Sequence, residues 1–151
     1  MKASCHAVIL LTALSLAGSG CAKINSRRFT PGQTTEAQIR TELGPPLSET
    51  SPVIRPQAHV LEYPDQTFFQ IEADQLVARH REASGAERQL QHWRQRWKGA
   101  TQFSGPAPNG FGSTHGTPIR QLTCPTAQTT VIFEEGGGRV LRVTEYAPPS
   151  R

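Results

Sequence analysis

The chain has 151 residues, the size of one ordinary domain, which excludes a large multidomain enzyme. Hydrophobic residues make up 36%, below the usual globular share, and 13 Gly with 12 Pro announce much turn and loop. A net charge of +4, with Arg in 13 of the 16 Lys and Arg positions, suits an anionic surface but is too small to argue for nucleic acid. The three cysteines, Cys5, Cys21 and Cys124, supply neither a disulfide framework nor a cysteine-rich metal site.

Lys2, the apolar run 7–16 and the small residues 17–20 read as an export signal over residues 1–20. The run is about ten residues, whereas a membrane-spanning helix needs about 20, so it is too short for a permanent anchor. Small residues directly before Cys21 resemble the lipobox of bacterial lipoproteins. That resemblance makes Cys21 the acylated first residue of the mature chain, and Ala22 after it is similar to lipoproteins sorted to the outer membrane. Acyl chains contribute about 0.8 kcal/mol per buried methylene, so several of them give a stable hold on a membrane. The alternative is a soluble secreted protein cut near Gly20.

Residues 21–28 are short and polar and read as a tether, with Arg27 and Arg28 near phospholipid head groups or simply solvated. Thr35 then caps a short helix, with Gln38 completing a capping box and Ile39 and Leu43 four apart on one face. Gly44 ends it, and Pro45 and Pro46 forbid continuation. Residues 47–57 form a connector. Three runs rich in β-branched and aromatic residues follow, 59–63, 67–72 and 76–81, as an antiparallel meander. Phe69 and Ile71 fall on one face and Leu61 and Tyr63 on another.

Residues 83–99 contain no Pro, and Ala86, Leu90, Trp93 and Trp97 recur at helical spacing, which predicts an amphipathic basic helix. Four Gly and three Pro within 101–118 predict a mobile loop. Runs 129–134 and 139–146 flank three glycines and predict a β-hairpin. Residues 68–81 and 131–144 each run strand, turn, strand with acids before the turn and Arg after it, as a degenerate repeat does.

Taken together, 31–39, Leu43-Gly44-Pro45-Pro46, Glu62-Tyr63 and the closing hairpin 68–81 resemble the SmpA/OmlA/BamE family of small outer-membrane lipoproteins. The resemblance covers residues 29–81, little more than a third of the chain. It implies an α+β fold of short helices packed on an antiparallel sheet meander, related to that of the β-lactamase inhibitory protein. Its structural motif residues are Gly32, Thr35, Ile39, Leu43, Gly44 and Pro46. The organisation expected is leader 1–20, tether 21–28, BamE-like domain 29–82 and C-terminal extension 83–151 with helix, loop 101–118 and hairpin 129–146.

No pattern carries catalysis. His59, His80, His92 and His115 lack metal-ligand spacing, Cys124 has no CxxC partner, and no motif asks for a cofactor. The glycines of 109–112 precede no helix and no Lys, so they form no phosphate loop. Arg88, Trp93, Arg94 and Trp97 form the candidate partner or membrane surface, since aromatic and Arg side chains supply most interface hot spots. The competing account has both Trp covering the sheet and the Arg residues facing water. The expected function is a non-catalytic, lipid-anchored adaptor or scaffold in cell-envelope assembly, on the periplasmic face of the outer membrane. Its partners are the membrane, through the lipid, and an envelope protein, with no nucleic acid. The alternative is a periplasmic inhibitor-like or ligand-sensing binding module.

Overall fold

The computed structural model describes residues 24–51, 58–107 and 118–149. The expected leader, Cys21, residues 52–57 of the connector and 108–117 of the loop, with His115, lie outside the described residues.

Thr35 and Gln38 form the capping box that opens α1 (Glu36–Leu43): the Thr35 amide donates to Gln38 Oε1 at 2.8 Å and the Gln38 amide to Thr35 Oγ1 at 3.3 Å. Gly44 closes it, its amide donating to the Arg40 carbonyl at 2.9 Å. Four strands follow, β1 (Ser48–Thr50), β2 (Ala58–Tyr63), β3 (Thr67–Glu72) and β4 (Gln75–Glu82). After a 3-10 turn at Gly85–Arg88 the chain repeats that order with α2 (Leu90–Arg96), β5 (Phe103–Pro106), β6 (Ile119–Cys124), β7 (Thr129–Glu134) and β8 (Val140–Tyr146). All eight strands pair antiparallel in one sheet, ordered β1-β2-β3-β4-β8-β7-β6-β5.

This overturns the expected α+β fold of short helices packed on a small meander with an extension. The described helices have only eight and seven residues, and an eight-stranded antiparallel sheet dominates. The decisive element is the central pairing, in register from Ala78↔Tyr146 to Glu82↔Arg142, which merges both meanders. The 83–99 helix is also shorter than expected. Gly85 has φ +55° and Gln89 is extended and bridges to Arg139, so α-helical backbone begins only at Leu90. Residues 103–106 of the expected loop are strand β5.

Residues directly opposite in an antiparallel sheet share a face. The pairs Phe69↔Arg79, Arg79↔Glu145, Arg81↔Val143, Val143↔Val131 and Val131↔Leu122 therefore lie on one side. Leu61 faces Phe69 across β2 and β3, so Leu61, Tyr63, Phe69 and Ile71 all share that side, a correction to the two faces read from the sequence. Both helices pack there. Ile39 and Phe29 join Leu61, Phe69, Ile71 and Leu76 in one core, while Leu90, Trp93 and Trp97 join Leu122, Val131, Phe133 and Val143 in a second.

Candidate functional site

Between the two apolar cores runs a charged seam. Arg79 and Arg81 project from β4, Glu145 from β8 and Glu87 from the 3-10 turn; both Arg side chains and Glu87 are about nine-tenths buried. Arg81 grips Glu87 through two hydrogen bonds of 2.7 and 3.0 Å, and Arg79 Nε donates to Glu145 at 2.7 Å. Burial alone would raise the Glu87 carboxyl, but hydrogen bonds and charge from Arg81, with Arg27, hold it below the ordinary carboxylate range. Burial also lowers Arg79 from the usual Arg range despite Glu145, while Glu87 keeps Arg81 raised against the same penalty.

The seam also captures the entering chain. Arg79 Nη1 donates to the carbonyls of Ser26 and Phe29, the latter at 2.7 Å. Arg27 pairs with Glu87 at 2.8 Å, and the Ile24 amide donates to Asp65 at 3.3 Å. Ser26 and Phe29 are buried. The stretch expected as a tether is thus packed on the domain from Ile24 onward. Beside it, a polar cleft of about 490 Å³ is lined by Ser26, Arg27, Asp65, Arg81, Ser84 and Arg88.

Of the four residues expected to make a binding surface, the two tryptophans face inward. Trp93 is 2% and Trp97 4% exposed, their rings lie 5.2 Å apart, and Trp93 Nε1 donates to the Glu87 carbonyl at 2.7 Å. They cover the sheet, as a helical apolar stripe does. Arg88 and Arg94 stay exposed, and the β7–β8 turn brings Arg139 to them. The three line a shallow groove with Gly137 and Gly138, made when the Leu90 amide bonds the Gly138 carbonyl at 2.8 Å. Arg139 escaped the sequence reading because nothing local ties it to residues some fifty positions earlier.

The motif residues hold the first half together. Ile39 is wholly buried, whereas Leu43 is only partly buried at the edge of the same core. Gly44 presents its carbonyl to the Tyr63 hydroxyl at 2.8 Å, and Pro46 is half-buried in the turn toward β1. Cys124 is completely buried beside Val131 and Phe133 in the α2 core, with its sulfur 3.4 Å from Thr126 Oγ1.

A second polar cluster was not legible in the sequence. Glu36 on α1, Glu49 on β1 and His59 on β2 bring their ligating atoms within 4.8 Å of one another. Arg40 sits against both carboxylates, at 2.6 Å from Glu36 Oε1 and 2.7 Å from Glu49 Oε2. Burial opposes ionisation of Glu36, but hydrogen bonds from Arg40 and His59 hold its carboxyl below the ordinary range. The spacing of 13 residues from Glu36 to Glu49 and 10 from Glu49 to His59 signals nothing until β1 pairs with β2.

Among the described residues no helix is long and apolar enough to cross a membrane. Compared with family models, curated proteins and solved structures, the chain matches none.

Proposed function

We propose that the protein is a non-catalytic adaptor of the bacterial cell envelope, held by lipid on Cys21 at the periplasmic face of the outer membrane. The observation that carries this reading is the capture of residues 24–29, by Asp65 at Ile24 and by the seam at Ser26, Arg27 and Phe29. An extended residue spans at most about 3.3–3.6 Å, so the backbone of an acylated Cys21 would stay within about 11 Å of Ile24. The domain would then be held close against its membrane instead of swinging on a leash. The basic start, short apolar run and small residues before Cys21 support acylation, and the resemblance of 29–81 to outer-membrane lipoproteins supports work in envelope assembly.

In this reading the partner is a protein with an acidic patch that meets Arg88, Arg94 and Arg139. Arg is over-represented among residues that dominate binding energy, and opposite charge speeds encounter. The test has two arms. Labelling cells with an alkyne fatty acid should tag the wild type and spare Cys21→Ser; equal labelling of both removes the lipid anchor from the proposal. In crosslinking pull-downs, Arg88→Glu with Arg94→Glu should lose the envelope partner with melting unchanged, most visibly against low-salt controls where screening is weakest. Capture of a periplasmic enzyme in place of assembly subunits would favour the inhibitor-like alternative.

A further inference from the structure

The Glu36, Glu49 and His59 cluster is arranged as a ligand set, and we propose that it binds a single Zn²⁺ ion at the edge of the sheet under the first turn of α1. His59 Nε2 lies 2.8 Å from Glu36 Oε2 and 3.9 Å from Glu49 Oε1. Tetrahedral zinc with bonds of about 2.0–2.1 Å keeps its donor atoms about 3.3 Å apart, so the donors straddle the required spacing. The carboxylates of Glu36 and Glu49 lie within 4.8 Å of each other, so the exposed Glu49 side chain must swing inward by up to about 1.5 Å to complete the set. Imidazole with carboxylate is a donor set that zinc accepts and that calcium or magnesium, which take oxygen ligands, does not favour.

The division of the carboxylate oxygens is the second argument. Arg40 engages Glu36 through Oε1 and Glu49 through Oε2. The oxygens nearest His59 are the other two, Glu36 Oε2 and Glu49 Oε1. Arg40 therefore need not leave for the ion to enter. Hydrogen bonds to the outer oxygens of ligating carboxylates orient them, as outer-shell partners do in established metal sites. The charges also fit: two carboxylates and Arg40 sum to one negative charge, which a divalent cation reverses but does not overload. Glu49 is 46% exposed along its side chain, leaving an entry path and room for water as the fourth ligand.

The ligands come from α1, β1 and β2, so the ion would tie the helix to the edge strand. The site lies in the half of the sheet away from the arginine groove and stands whether or not the adaptor reading does. To test it, the full chain, purified in detergent, is titrated with Zn²⁺ alone by calorimetry beside His59→Ala and Glu49→Gln. Wild type should take up one saturable equivalent at this site, and its affinity should fall at least tenfold in each variant. Zn²⁺ should also raise the melting temperature of wild type and not of the variants, whatever their metal-free melting points. Should a variant fold poorly, Zn²⁺ protection of wild-type His59 from diethylpyrocarbonate, mapped by mass spectrometry, decides the matter. Absence of saturable uptake, uptake at wild-type affinity in either folded variant, or an unprotected His59 overturns the proposal.

Discussion

Gly32 meets two demands that other residues cannot. Its φ is +79°, and a Cβ there would come 3.2 Å from Pro148 Cδ and 3.3 Å from Ala147 Cβ, while its amide donates to the Leu76 carbonyl at 2.7 Å. Left-handed backbone costs an L-residue about 1–2 kcal/mol, so Gly32→Ala should lower unfolding free energy by about that amount in urea denaturation. An unchanged midpoint would show that the left-handed backbone at Gly32 is not strained by a side chain. His80 poses a different constraint, since burial and the nearby Arg142 push its pKa down from 6.5 to about 4. The folded protein keeps it neutral while the unfolded chain takes up a proton, so stability is whole above about pH 6.5 and falls as pH drops toward 4. At pH 4.5 the loss attributable to His80 is about 2–3 kcal/mol. The difference in stability between pH 7.5 and 4.5 should shrink by that amount in His80→Gln, and an identical difference would refute the assignment.

Among the elements, strands with alternating apolar residues were legible: the expected runs 59–63, 67–72 and 76–81 coincide with β2, β3 and β4, and the last hairpin with β7 and β8. The edges were not. Ser48-Glu49-Thr50 of β1 is exposed along its whole length, and β5 contains Gly105 and Pro106, residues that weaken a strand and are tolerated at sheet edges. Such strands exist because neighbours template them, and their pairing partners lie beyond any local window. The same limit hid the arginine groove and the Glu36, Glu49 and His59 cluster, whereas the capping box at Thr35, a purely local device, could be read directly. Helix α2 separates its two roles by face. Trp93→Ala removes a ring that is 2% exposed and should cost about 3–5 kcal/mol. Arg94→Glu on α2 alters only exposed charge, and Arg88→Glu on the preceding 3-10 turn removes one further hydrogen bond, from Arg88 Nε to the Ala83 carbonyl at 3.2 Å, so the pair should cost no more than about 1 kcal/mol and leave thermal melting near wild type. A large drop in melting temperature for the arginine pair would show that the groove is structural.

At the scale of the molecule, two apolar cores share one sheet but are divided on its covered face by a row of buried charge. Whether they unfold as one body depends on β4 and β8, which carry both the central pairing and three of the four seam residues. Arg81 and Glu87 are the pair for probing this, with side chains 8% and 10% exposed. Removing one member of a buried pair strands the other's charge and costs about 3–5 kcal/mol, whereas replacing both with apolar residues of similar volume often costs little. Arg81 keeps a longer contact to Glu145 at 3.6 Å, so Glu87→Ala should be destabilising toward the lower end of that range, and Arg81→Met with Glu87→Leu should recover part of the loss. Because the Glu87 carboxyl is held low in the folded state, its contribution is present above about pH 4.5 and fades as pH falls through that depressed value. The deficit of Glu87→Ala relative to wild type should accordingly narrow in acid. Calorimetry of all three proteins should give one transition each, since the continuous ladder from β3 through β7 leaves no place for either core to melt alone. Two transitions in Glu87→Ala would mean that the seam, and not the central strand pair, couples the halves; a double variant no more stable than the single would mean that Arg81 is not left stranded when Glu87 is removed.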